Sequence, residues 1–165
     1  MSTRGAITRI GAPEGFVGVY HHWDSYPTGL GATLFRLRNG HFRGDTAAML
    51  KVLIDEHPAG WSTTNDKDFN LPIGFSNESK AQHPLCYCHG ERSEPPLLVT
   101  QADAASIGCE YVYVFTPTNK MLVLSSYERD GTKTTGTGDP EAHWATIAVI
   151  DLDGPEPDWK EIDGD

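Results

Sequence analysis

The chain has 165 residues, 38% of them hydrophobic, and a formal net charge of −10, which suits one domain with a real core and no need of disulfide staples. That charge excludes free nucleic acid as an expected partner, because binding phosphates needs a basic footprint. An apolar run of about eighteen residues is lacking, as is an apolar leader core after Met1, so the expectation is a cytoplasmic protein without a membrane span.

In chain order, Gly5 to Ile10 and Phe16 to His22 read as two strands, with Gly11-Ala12-Pro13-Glu14-Gly15 as the turn between them. After Pro27 the spacing becomes helical, with Leu30, Leu34 and Leu37 at i, i+4 and i+7, Thr28 as the expected N-cap and Asn39-Gly40 as the stop. Arg36, Arg38 and Arg43 read as a solvated helix end. A second helix starts at Asp45 and carries Ala48, Met49, Val52 and Leu53 as its apolar stripe, ending before Pro58.

Residues 62 to 96 show little periodicity and much Asn, Asp, Ser and Pro. A structureless loop of that length is uncommon unless it is functional or pinned. Thr100 to Asp103 then forms a capping box for a short helix ending at Gly108. Glu110 to Thr116 and Met121 to Tyr127 are strands joined by the hairpin turn Pro117-Thr118-Asn119-Lys120, and Trp144 to Leu152 is a further strand. From Asp151 onward there are seven carboxylates and one lysine. The order predicts a single α+β domain over residues 1–153, with a largely antiparallel sheet packed against two main helices on one face and a long central loop. Residues 154–165 read as an acidic, flexible tail.

The three cysteines are an odd set, two of them separated by one residue, which argues for a reducing compartment or a metal site over a secreted disulfide framework. Thiolate and imidazole suit tetrahedral zinc, and a structural site needs four ligands. Cys86, Cys88 and Cys109 supply three, with His89 or His83 as the fourth. Zinc there would pin the central loop. The plain alternative is three unliganded thiols.

The densest chemistry lies in Tyr20-His21-His22-Trp23-Asp24-Ser25-Tyr26-Pro27-Thr28-Gly29-Leu30-Gly31, where a strand hands over to a helix. His21 and His22 fall on opposite faces of a continuing strand, so one packs while the other faces a cleft. His22 and Asp24 share a face and suit an acid–base pair, or metal ligands together with His57 or His143. His21, Trp23, Tyr26, Gly29 and Gly31 are the expected ligand-binding residues: the glycines open a helix start whose free N–H groups favour anions. An anionic or nucleotide-like small molecule is the expected ligand.

The element His22-Trp23-Asp24-Ser25-Tyr26-Pro27, with Gly29-Leu30-Gly31 behind it, resembles the His-Trp-Asp-x-Tyr-Pro element of small uncharacterised bacterial, phage and plasmid proteins. The likeness extends through His57-Pro58-Ala59-Gly60-Trp61-Ser62, Cys86-Tyr87-Cys88-His89-Gly90 and Asp151-Leu152-Asp153-Gly154-Pro155, and so covers most of the chain. It implies a stand-alone domain of this size and carries no substrate, cofactor or catalytic role. The leading expectation is therefore a small-ligand-binding domain with its pocket at His22 to Gly31. The alternatives are a hydrolase using His22 and Asp24, and an interaction protein with a zinc-stabilised loop.

Overall fold

A computed structural model describes residues 3–11, 15–67, 69, 84–126 and 144–163. His83, His143 and residues 68 and 70–83 of the central loop lie outside the described residues. The elements are β1 (Gly5–Ile10), β2 (Phe16–His21), α1 (Ala32–Asn39), α2 (Thr46–Leu50), β3 (Trp61–Thr63), β4 (Leu85–Cys86), β5 (Val99–Thr100), α3 (Gln101–Ser106), β6 (Tyr111–Phe115), β7 (Lys120–Ser125), β8 (Ala145–Asp151) and α4 (Trp159–Asp163). They form a single α+β domain around one mixed sheet, ordered β4-β3-β2-β1-β6-β7-β8, with β5 paired to β2. The β1–β6 and β2–β3 pairs are parallel, and the other pairings are antiparallel.

Period-two alternation divides each central strand between two cores. Ile7, Tyr113, Phe115, Met121 and Val123 face a large cluster with Leu34, Leu37, Met49 and Leu53 from the two main helices. Ala6, Val112, Val114 and Leu124 face the other way, onto a smaller cluster closed by Val99, Ala104 and Cys109. The second face is thus covered by β5 and α3, where the sequence suggested helices on one face only.

Helix starts follow their local chemistry. The Asp45 side chain accepts from the Ala48 N–H at 3.0 Å, and Thr100 and Asp103 complete the capping box. The first main helix departs from expectation because Pro27, not Thr28, opens it through a wide π-type turn, Pro27–Gly31. A second wide turn, Lys51–Asp55, follows α2. There the buried Trp61 indole donates to the Leu53 carbonyl at 2.9 Å, tying β3 to that turn.

Residues 154–163, read from composition as part of a flexible tail, carry the short helix α4. The α4 residue Trp159 is buried, with Ile162 packed beside it against the main core. Its ring stands edge-on to Phe35 at 6.1 Å and lies so close to Gly31 that a Cβ there would meet it at 3.0 Å. Arg36 pairs with Glu156 at 2.8 Å. Composition suggested disorder, but one aromatic anchor and its i+3 neighbour are enough to dock the segment. Among the described residues no helix is long and apolar enough to cross a membrane.

Candidate functional site

β2 ends with two histidines in opposite settings. His21 is buried on the helix-covered face, where Nδ1 meets the Ser25 hydroxyl at 2.9 Å and Nε2 meets Thr64 at 3.1 Å. Ser25 Oγ in turn donates to the His21 carbonyl at 3.2 Å, so Nδ1–H must donate to Ser25 and Nε2 accept from Thr64. Burial, with His22 as a smaller influence, pushes His21 down to about 3. This is a packed, neutral imidazole, and the Ser25 beside it is too buried to meet a substrate.

His22 faces the other way. Its Nδ1 lies 2.6 Å from the Tyr20 phenol, whose own ionisation burial pushes up to about 12. The phenol therefore donates, and His22 keeps its proton on Nε2. Burial first, then the charges of Arg4 and Arg92, holds His22 below its ordinary range. The expected His22–Asp24 pair is replaced by this phenol–imidazole pair. Asp24 sits at a positive φ of 57°, and burial first, then the nearby Asp24 carboxylate, raises the Tyr26 phenol above its ordinary range.

The second patch gathers a metal-ligating set. Nδ1 or Nε2 of His57 and His89 and the sulfurs of Cys86 and Cys88 all lie within 4.8 Å of one another. Cys86 Sγ is 3.4 Å from His89 Nδ1, and Cys88 Sγ is 3.6 Å from His57 Nδ1. Ordinary metal–sulfur and metal–nitrogen bonds in a tetrahedron place such ligands roughly 3.5–3.8 Å apart, so the group could hold a metal ion with little adjustment. The His57 and His89 rings stand 4.8 Å apart, and His57 also lies 4.7 Å from the Trp61 ring.

Burial, followed by the nearby Cys88, pushes the Cys86 thiol up to about 11. It also pushes His57 down to about 4, with His89 adding to the effect. Both shifts disfavour charge, and a divalent cation supplies the charge that lets the thiols ionise against a neutral imidazole.

Of the expected ligands, Cys86, Cys88 and His89 come together, and His57 takes the place given to Cys109. Cys109 is buried on the opposite face of the sheet among Ala6, Val112 and Ala104, its thiol pushed up to about 12 chiefly by burial. The sequence offered His57 as a metal ligand only beside His22 and Asp24, not with the cysteines. What assigns it is the antiparallel β3–β4 pairing at Trp61 and Cys86, which brings the exit of the second main helix beside β4.

A cavity of about 690 Å³ lies beside this patch, lined by Tyr87 but by none of the four metal-ligating residues. Tyr20, His22 and Trp23 line it together with Tyr87, Arg92 and Leu97. The Arg92 guanidinium lies 4.7 Å over the Tyr87 ring and pairs with Glu94 at 2.9 Å. Trp23 is 46% exposed and Leu97 67% exposed, an uncommon display of large apolar side chains at a cavity mouth.

The expected pocket at Gly29 and Gly31 is not where the cavity lies. A Cβ on Gly29 would collide with the Asp24 carbonyl, and Gly31 is packed between Trp159 and Tyr113. The Thr28 N–H donates to Asp163 Oδ2 at 3.3 Å, so the chain's own carboxylate takes the anion position at that helix start. Tyr26 stays beside Asp24, whereas His22 and Trp23 carry the motif into the cavity. Compared with family models, curated proteins and solved structures, the chain matches none.

Proposed function

We propose that this protein is a small-ligand-binding domain whose ligand occupies the cavity between the end of β2 and the 87–97 segment, with zinc at His57, Cys86, Cys88 and His89. The observation that carries the reading is the convergence of Trp23, Tyr20 and Tyr87 with two oriented donors, His22 Nε2–H and the Arg92 guanidinium, around one cavity. Mostly apolar walls with a few placed polar groups are what small-molecule sites need. The ligand class that fits is an anion with a flat aromatic body, nucleotide-like in shape. Its ring would stack on the aromatics while its acidic group meets Arg92 and His22.

Zinc is the favoured ion because two thiolates and two imidazoles form a complete tetrahedral set, leaving no position open for substrate. That makes the metal structural. The reading as a hydrolase has less support, because His22 Nδ1 is held by the Tyr20 phenol and not by the Asp24 carboxylate. Three free cysteines suit a reducing cytoplasm.

The test is a thermal-shift screen with nucleotides and aromatic carboxylates, beside native and denatured mass. A ligand at a hundred times its Kd should raise the melting temperature by roughly 5–10 °C, and Trp23→Ala and Arg92→Ala should each lose that response. Variants that still respond fully would place the ligand elsewhere. The native mass should exceed the denatured one by a single zinc, and Cys88→Ser should lose the excess.

A further inference from the structure

We infer that metal occupancy at His57, Cys86, Cys88 and His89 controls the ligand cavity, because one short segment, residues 86–89, serves both sites. The inference rests on the reading of the two sites given above and adds their coupling.

The geometry begins with adjacency. Cys86 and Cys88 both belong to the metal-ligating set with His57 and His89, whereas Tyr87 between them lines the cavity. Fixing the two sulfurs on one ion therefore fixes the Tyr87 ring. The remaining cavity wall hangs from the same few residues. The Tyr87 N–H donates to the Gly60 carbonyl at 3.0 Å, the Glu94 N–H to the Tyr87 carbonyl at 2.7 Å, and the Leu97 N–H to the Pro58 carbonyl at 2.9 Å. Pro58 follows His57 directly, so each attachment ends on a residue next to a metal ligand or within three of one.

Within the wall, short-range contacts join Arg92 to Tyr87 and Glu94, and the Ser93 hydroxyl to the Gly90 carbonyl. Gly90 to Ser93 and Pro95 to Leu98 are exposed and form no regular helix or strand beyond an isolated bridge at Gly90. Pro95 and Pro96 have no N–H to donate. A segment that buries so little apolar surface cannot offset its own ordering entropy. A metal that joins His57 to residues 86–89 closes the chain at the two roots of the wall and leaves it only a short span to order. By linkage, whatever the metal contributes to ligand affinity the ligand returns to metal affinity.

The experiment is amide hydrogen exchange on the full chain, with zinc and after chelation, once native mass has shown whether zinc is bound. With the metal removed, the amides of Glu94 and Leu97 should exchange at least about tenfold faster, while those of Val114 and Val123 in the central strands stay protected. Trypsin should then cut after Arg92 in the chelated protein and spare the zinc-loaded one. Cys88→Ser should reproduce the chelated pattern, and chelation of the parent gives the same readout if that variant does not fold.

Zinc bound but the wall amides unchanged on its removal would overturn the coupling and leave both sites standing. Simultaneous loss of protection in the central strands would also overturn it, making the metal a support of the whole fold. If native mass shows no zinc, the metal reading itself fails, and the coupling with it.

Discussion

His21 and His22 are neighbours whose chemistry diverges because the strand turns them to opposite faces. Their separation is legible from period two, but which one packs is not. The partners that hold His21 are Thr64, beyond β3, and Ser25, in a turn. His21 has a pH consequence of definite sign. Its folded-state pKa is about 3 against an ordinary 6.5. Between those values the unfolded chain takes up a proton that the folded chain refuses. This contribution is therefore complete above pH 6.5 and is lost as pH falls toward 3, at up to about 1.4 kcal/mol per pH unit. His21→Leu should remove that slope between pH 6.5 and 5 in urea unfolding. At pH 7 it should cost about 2–4 kcal/mol, because Ser25 and Thr64 lose their buried partner. A variant with the parent's pH slope would show that His21 does not carry it.

At the scale of elements, capping residues and the β6–β7 turn stand in the sequence because each depends on neighbours a few positions away. The two wide turns do not. Lys51–Asp55 answers a demand from Trp61, and Pro27–Gly31 sits under Trp159 and Tyr113. Three of the four metal-ligating residues were legible for the same reason: Cys86, Cys88 and His89 are local, whereas His57 arrives by strand pairing.

Strand crossing can be tested at Gly18, which faces Thr8 across the β1–β2 pair. A Cβ there would strike the Ile7 carbonyl oxygen and stand 2.6 Å from Thr8 Cα, both of them backbone. The strands approach too closely for any side chain, and a side-chain rotation cannot relieve the clash. Gly18→Ala should therefore cost about 2–3 kcal/mol, read as a lower urea midpoint. An unchanged midpoint would mean that β1 and β2 separate without penalty.

The whole molecule is settled by where the domain ends. Residues after Asp153 look dispensable by composition, since acidic groups and prolines outnumber apolar ones. Their polar contacts are also modest: Arg36–Glu156 is half exposed on the arginine side, and such pairs contribute about 0–1 kcal/mol. The weight falls on Trp159, only 6% exposed, whose truncation to alanine should cost about 3–5 kcal/mol. Folded domains have only about 5–15 kcal/mol in hand, so this anchor is a large share of the total. A chain ending at Asp153 should therefore unfold at a clearly lower urea concentration than the full chain, and Trp159→Ala should reproduce most of that loss. High salt should change the full chain little, because the anchor is apolar and only the rim is charged. Equal midpoints for the shortened and full chains would place the boundary at Asp153 and make α4 an appendage. A loss that salt reproduced would instead assign the docking to Glu156 and Asp163.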